Sequence, residues 1–531
     1  MSGRLTLSWV NKDQALVPTD EGGYQWVDRD DPRVTEVRLL HQAERIGEVT
    51  DTLNDNLLIR GDSYDALHAL VRTPEYAARY RRKIKLVYID PPFNTGQAFE
   101  HYDDALEHSV WLGMMRERLL LIRELLAPDG SVWVHLDDAE MAYCRVLMDE
   151  IFGRGNFVAT VVWETDQGRR NDTDISIVQD YILLYAADRS SWRNTRNLLP
   201  RTAEQEKRYK NPDGDPRGPW LQGADSTARS GTEALRYPIT LPSGRVVYPP
   251  SGVYWRFSKE NFERALAEDR VYFGVDGDRM PIVKRYLTEV QAGVVPRTWW
   301  PANEVGSNMS AKRDHLRKLF PGVAAFATPK PEGLLHRIIH IATNPGDIVL
   351  DCFGGSGTTG AVAHKMGRQW VLAEVSPSTV ETFTKPRLMK VVNGEDPGGI
   401  TQEVEWNGGG GFRVLEVGSS LYERAADRLL LADWAKGDMF ARAVASQMGF
   451  AYELDGPFAG RKGRTRLAVV DGVADDVVVK SIVSYLEEEE RVTIVAKSAA
   501  PEAAELLRQM SKGSRLLKAP GDLVRRGKVV R

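Results

Sequence analysis

An open, doubly wound α/β fold is predicted by three observations. Two apolar runs that end on an aspartate, Leu86-Val-Tyr-Ile-Asp90 and Ile348-Val-Leu-Asp351, read as strands buried on both faces. The second runs straight into Phe353-Gly-Gly-Ser-Gly-Thr-Thr-Gly360, and Ala361-Val-Ala-His-Lys-Met366 then reads as a helix starting beneath the glycines. Strand and helix patterns alternate before about residue 165 and after about 325, and the alternation is lost between.

The chain of 531 residues is long enough for about three domains at roughly 100–200 residues each. Its apolar fraction of 42% is that of a globular protein, and no apolar run approaches the roughly 18 residues of a membrane span. The polar start Met1-Ser-Gly-Arg has no secretory pattern, so the cytoplasm is expected. Cys144 and Cys352 are the only cysteines, too few for a disulfide framework or a cysteine zinc site. A net charge of −4 gives no global sign of a nucleic-acid binder. The bases are clustered instead, at Arg79 to Lys85, Arg169-Arg170, Arg201 to Lys210, and Lys312 to Lys318. Each patch also reads as an ordinary solvated face.

Residues 1–50, polar and aromatic, are expected to form an N-terminal extension against the next domain, and 51–189 the first half of the α/β domain. Within that half, Leu57 to Ile59 is a short strand before Gly61-Asp62, and Ala66 to Val71 begins a helix that Asp62 can cap. Trp111 to Leu126 repeats apolar residues at helical spacing, Pro128-Asp-Gly130 turns, and Ser131 to Leu136 is a strand. Val178 to Tyr185 still reads as a core strand, so an inserted domain is placed at 190–325. It holds a hairpin about Ser243-Gly244, and its Trp220, Trp255, Trp299 and Trp300 suit a core or a base stack. Regular alternation returns over 326–412, with a helix from Glu332 to Thr343 and a strand from Gln369 that ends at Glu374. Residues 413–531 form a small α/β domain, with strands near Arg466 and Arg491 and helices around Ser481 to Glu490 and Pro501 to Met510. It carries no chemical motif and reads as an interaction module or a stabilising cap.

The glycines at Gly355, Gly357 and Gly360 have Gly-x-Gly-x-x-Gly spacing, and the carboxylate of Glu374 can accept hydrogen bonds from ribose hydroxyls. That pattern alone fits a dinucleotide, another adenosine cofactor such as S-adenosylmethionine, or a structural turn. Asp90-Pro-Pro-Phe93 narrows the choice, because the prolines end the strand and project the tetrapeptide. Its chemistry suits methylation of an exocyclic amine on a nucleobase. The amine's lone pair is delocalised into the ring. Asp90 and the Pro91 carbonyl can accept its two N–H bonds and aim the lone pair, while Phe93 stacks on the extruded base. A nicotinamide oxidoreductase leaves this tetrapeptide unexplained.

His135, Asp137 and Asp138 lie at a strand end without a partner cluster, and His336 and His340 lack the intervening glutamate of a zincin; no metal is expected.

The order Asp90-Pro-Pro-Phe93 before Phe353-Gly-Gly-Ser-Gly-Thr-Thr359 resembles the beta class of amino-group DNA methyltransferases. The likeness extends from Trp9-Val-Asn-Lys12 to Gly408-Gly-Gly-Gly-Phe412, through Asn56 to Asp62, Ser131 to Asp138, Ile151 to Phe157 and Thr328-Pro-Lys-Pro-Glu-Gly-Leu-Leu335. Over that span the chain is most similar to modification subunits of type III restriction-modification systems. The resemblance implies a Rossmann-like methyltransferase sheet with S-adenosylmethionine as cofactor, base readout in the insert, and methylation of adenine N6 in double-stranded DNA by base flipping. It assigns Asp90, Pro91, Pro92 and Phe93 to catalysis. Asp62, Lys330, Asp351, Phe353, Gly355, Gly357, Thr358 and Glu374 are assigned to the cofactor, with Lys330 near its methionine carboxylate. It further implies a homodimer and a restriction subunit with nuclease and ATPase activity as partner. Cytosine N4, an RNA base, or a DNA-recognition subunit guiding a nuclease are the alternatives.

Overall fold

The structure, a computed structural model, describes residues 5–20, 22–49, 54–94, 98–99, 102–103, 107–168, 174–221, 226–425 and 428–524. Its frame is a mixed sheet of ten strands. In chain order these are β1 (Leu40–Gly47), β2 (Asn56–Arg60), β3 (Ile84–Ile89), β4 (Leu126–Leu136), β5 (Phe157–Glu164), β6 (Gln179–Ala186), β7 (Trp299–Trp300), β8 (Ile348–Asp351), β9 (Gln369–Glu374) and β10 (Gly411–Val417). Across the sheet they lie in the order β7-β5-β6-β4-β3-β8-β9-β2-β10-β1. From β4 across to β10 all pairings are parallel. Antiparallel pairing appears only toward the edges, where β6 meets β4 and β5 and where β1 meets β10.

The order reverses between β3 and β8. After β3 the chain moves to β4 on one side, and after β8 to β9 on the other, so the ends of these adjacent strands open a crevice. Helices cover both faces. Leu57, Leu350 and Val371 join one core with Leu67 of α1 (Ser63–Arg72) and Trp111, Met115 and Leu119 of α2 (His108–Leu125). Each of these fully buried side chains stabilises the fold by about 1.5–3 kcal/mol. On the other face α4 (Thr358–Lys365) comes so close to the sheet that a Cβ on Gly360 would lie 2.7 Å from Leu372 Cδ1. It packs beside α3 (Glu332–Ala342).

Several boundaries differ from the sequence expectation. Leu40–Gly47, placed in an N-terminal extension, is the edge strand β1, and the expected break at 412/413 falls inside β10; these strands pair with one another. The compact inserted unit spans Leu198–Pro296 rather than 190–325. The helix Arg189–Thr195 caps its own first turn through Asp188, and Trp299-Trp300 pairs with β5, so both flanks belong to the larger unit. Compositional texture does not detect a two-residue strand.

The smaller unit is a set of two-stranded ladders, including Ile239–Thr240 with Val246–Val247 about Gly244, whose φ is +87°. Trp255, Phe257 and Phe262 stack in its core, and Trp220 is also buried, so these tryptophans are structural. In the C-terminal part of the larger unit, five strands run in chain order from Ala451–Asp455 to Arg515–Lys518. The helix expected at 481–490 is Asp476–Val483, because Asp475 accepts a hydrogen bond from Val478 N and starts the helix early. No helix among the described residues is long and apolar enough to cross a membrane.

Beneath the α3–α4 face lies a buried charge cluster. Lys365 Nζ donates to Glu332 at 2.8 Å and to Asp396 at 2.8 Å, Arg387 donates to Glu332 at 2.9 Å, and His315 lies 2.8 Å from Asp396. Burial pushes the Glu332 carboxyl up, but Arg387, Lys365 and His315 outweigh it and hold the group below its ordinary value. Asp396 is depressed in the same way, chiefly by His315 and Lys365 against burial. The stabilisation is therefore present above the unfolded carboxylate pKa values and lost as pH falls through the depressed folded ones. Glu332→Gln leaves the buried Arg387 without its carboxylate and Lys365 with Asp396 alone, and should cost about 3–5 kcal/mol in urea unfolding at neutral pH.

Candidate active site

The crevice at the carboxyl ends of β3, β8, β9 and β2 holds a cavity of about 250 Å³. Every residue singled out from the sequence as catalytic or cofactor-binding lines it except Gly357, which sets the turn behind. Asp90 follows β3 directly, and Pro91 and Pro92 end the strand. Trp111 Nε1 of α2 donates to the Pro92 carbonyl at 2.7 Å and anchors this loop to the core. Asp90 Oδ2 accepts from Lys330 Nζ at 2.6 Å, whereas Oδ1 is buried with no hydrogen-bond partner among the described residues. A buried, unsatisfied carboxylate oxygen is costly and marks a position prepared for a donor.

Phe93 rests on a buried polar relay. Its ring stacks on His135 with centroids 5.9 Å apart. Tyr88 OH lies 2.9 Å from His135 Nδ1, and His135 Nε2 lies 3.0 Å from Asp180 Oδ2. Burial pushes the Tyr88 hydroxyl well above its ordinary range, so it stays protonated within reach of Nδ1. His135, at a strand end where the sequence suggests no metal, is the platform under Phe93. The loop's far end is held by Glu140, which accepts from Asn94 Nδ2 at 2.7 Å and lies 2.7 Å from His108 Nδ1.

The glycine corner forms the opposite wall. Gly355 and Gly357 have φ of +48° and +77°, conformations that side chains resist, and a Cβ on Gly357 would lie 3.2 Å from Thr384 Cγ2. Asp351 braces the corner by accepting from Phe353 N at 2.9 Å and Thr359 Oγ1 at 2.6 Å. Burial pushes its carboxyl up to about 7. Glu374 Oε2 accepts from Gly355 N at 2.7 Å and Oε1 from Ser376 N at 2.9 Å. Burial also raises Glu374, against those hydrogen bonds. Thr358 Oγ1 donates to the Lys330 carbonyl at 3.3 Å and accepts from Arg387 at 2.7 Å, which joins the corner to the buried charge cluster.

Asp62 does both jobs open to it in the sequence. Its Oδ1 caps α1 through Tyr64 N at 2.7 Å and accepts from the fully buried Arg118 at 2.6 Å, while the residue lines the cavity. Tyr24, on the N-terminal strand Tyr24–Val27, completes this wall, 3.3 Å from Arg118. Burial, against Arg118, pushes its hydroxyl up to about 12, so it stays protonated. Neither Tyr24 nor Arg118 carried a sequence signal, because each reaches the site through tertiary packing alone.

Away from the cavity, His315, Glu332 and Asp396 are close enough to share a cation, but the Lys365 ammonium already bonds both carboxylates. His336 pairs with Glu403 at 3.3 Å. In the first basic patch Arg81 pairs with Glu124 and Lys85 with Asp129, which removes much of its charge excess. Arg169-Arg170 lies outside the described residues.

Residues 84–385 match the N6/N4 family model described as DNA methylase. The chain is 34% identical over 337 residues to the type III restriction-modification enzyme StyLTI Mod subunit of Salmonella typhimurium, covering 57% of this chain and 49% of that protein. It is 30% identical over 444 residues to the probable type III HindVI Mod subunit of Haemophilus influenzae, covering 73% of this chain and 58% of that one. The chain thus spans about half the length of these curated relatives. A short segment of 54 residues, 10% of this chain and 18% of the relative, is 54% identical to the DNA adenine methyltransferase YhdJ of Escherichia coli K12. Among solved structures, the PvuII cytosine-N4-specific DNA methyltransferase aligns with a TM-score of 0.35 at 18% identity, over 65% of this chain and 89% of that one.

Gly357→Val places a β-branched residue at positive φ against Thr384. The corner should be destabilised by about 1–3 kcal/mol, read as a lower thermal midpoint.

Proposed function

Since the chain belongs to the N6/N4 DNA methylase family, we propose that it transfers a methyl group from S-adenosylmethionine to adenine N6 in double-stranded DNA, as the modification component of a type III-like restriction-modification system. The observation that carries this reading is the unsatisfied Asp90 Oδ1 beside Phe93, across one cavity from the glycine corner. The cavity suits a cationic cofactor with an adenosine moiety. Asp62, Asp90, Asp351 and Glu374 line it, and the backbone of Gly355 approaches without a Cβ in the way. When bound, S-adenosylmethionine supplies an electrophilic methyl on a sulfonium whose positive charge these carboxylates favour.

Glu374 and Asp62 would hold the adenosine end, and Lys330 the amino-acid carboxylate. Phe93 would stack on the flipped adenine, with His135 fixing the ring from below. Asp90 and the Pro91 carbonyl would accept the two N6 hydrogens and turn the nitrogen lone pair out of the ring plane toward the methyl. The nitrogen that takes the methyl would become cationic, the departing S–C pair remaining with sulfur, and Asp90 would be the adjacent acceptor for the proton it must lose. Aspartate at the head of the tetrapeptide favours adenine over cytosine N4. The inserted unit is the candidate for base readout, the C-terminal part of the larger unit for association with a second copy or a restriction subunit, and the cytoplasm for location.

Labelled methyl transfer to duplex DNA, with mass analysis of the modified nucleoside, tests the reading. The wild type should yield N6-methyladenine, and Asp90→Ala should lower transfer by at least about a hundredfold while still binding S-adenosylhomocysteine. Lack of product with varied DNA, or loss of cofactor binding in Asp90→Ala, would contradict this assignment.

A further inference from the structure

Lys330 occupies the place the proposed substrate needs. Its ammonium donates to Asp90 Oδ2 at 2.6 Å and lies 5.1 Å from the centroid of the Phe93 ring. An adenine stacked on the Phe93 ring with N6 donating to Asp90 Oδ1 would need the ring that the ammonium lies over and would crowd the carboxylate it holds through Oδ2, so ammonium and base compete for this corner. Lys330 is buried, 6% exposed, and therefore has little room to share the site.

The charges on the rest of the cavity wall show where the ammonium can go. Lys330 is the only lysine or arginine among the described lining residues, against four carboxylates. Three of those are already engaged: Asp62 by Arg118, Asp351 by Thr359 and Phe353 N, and Glu374 by Gly355 N and Ser376 N. A ligand carboxylate entering this acidic cavity finds one basic lining partner, and that partner is at Asp90. The Lys330 backbone is tied to the glycine corner through Thr358, so its four-carbon side chain can swing between the two halves of the site while its main chain stays in place.

We propose that Lys330 is a place-holder for the target amine, released from Asp90 when the carboxylate of a bound cofactor takes its ammonium, so that base entry follows cofactor binding. The inference rests on the methyl-transfer reading and adds an order of events to it. It makes Asp90 a competitor of the cofactor carboxylate for one cation.

That competition is measurable without DNA and without turnover, by calorimetric binding of S-adenosylhomocysteine and of 5′-methylthioadenosine, which lacks the amino-acid carboxylate. Asp90→Asn weakens the hold on Lys330 and should tighten S-adenosylhomocysteine by about tenfold, the worth of one charge-assisted hydrogen bond, with methylthioadenosine unchanged. In a Lys330→Met background the same Asp90→Asn change should alter affinity by less than about twofold, the limit for uncoupled sites. Lys330→Gln replaces Lys330→Met if the latter does not fold. Equal tightening in both backgrounds, or none in either, overturns the place-holder while methyl transfer by the wild type still upholds the reading. Failure of the wild type to bind S-adenosylhomocysteine at all overturns both.

Discussion

The reversal of strand order between β3 and β8 is the constraint on which the rest depends. Parallel neighbours end at the same edge, and when the chain departs from them in opposite directions no connection covers the gap between their ends. Asp90 and the glycine corner come from strands far apart in sequence, yet this arrangement sets them across one cavity. The long excursion between β6 and β7 joins strands on one side of the sheet and leaves the central parallel ladder intact. The compact unit at Leu198–Pro296 thus interrupts the chain outside the strands that carry the site.

Polar groups then hold what topology has brought together. Asp62, Asp351 and Glu374 each bond a neighbouring backbone N–H, which fixes carboxylate orientation and turn geometry in one step. Phe93 differs from an ordinary loop aromatic because its lower face is already covered by His135, itself held by Tyr88 and Asp180. A ring with one face packed offers a single stacking surface and loses little freedom when that surface is used.

What was legible in the sequence was local. Asp90 to Phe93 and Phe353 to Gly360 announce themselves because strand end, turn and helix start are consecutive, and proline and glycine fix their backbones. The strand of Gln369 to Glu374 and the helix from Glu332 were readable for the same reason. Tyr24, Arg118 and Asp180 were invisible, since each reaches the site from an element whose own pattern concerns only packing. The edge strand β1 was missed because polar residues such as the half-buried Glu44 and the exposed Arg45 interrupt its apolar signal. The start of the helix at Asp476 depended on a side-chain cap, and such boundaries shift by a few residues when the cap is not weighed.

The pairing of Lys330 with Asp90 belongs to the same illegible class, and it changes how the motifs are understood. Read separately, one residue serves the cofactor and the other the substrate. Read together at 2.6 Å, they form a single ion pair spanning both halves of the site. An acidic cavity without this lysine would repel any carboxylate, and an Asp90 without it would leave both carboxylate oxygens without a hydrogen-bond partner. One cation relieves both problems, but it cannot do so in both places at once. On the place-holder proposal, the order in which the two ligands are accommodated is a consequence of charge balance at the strand ends.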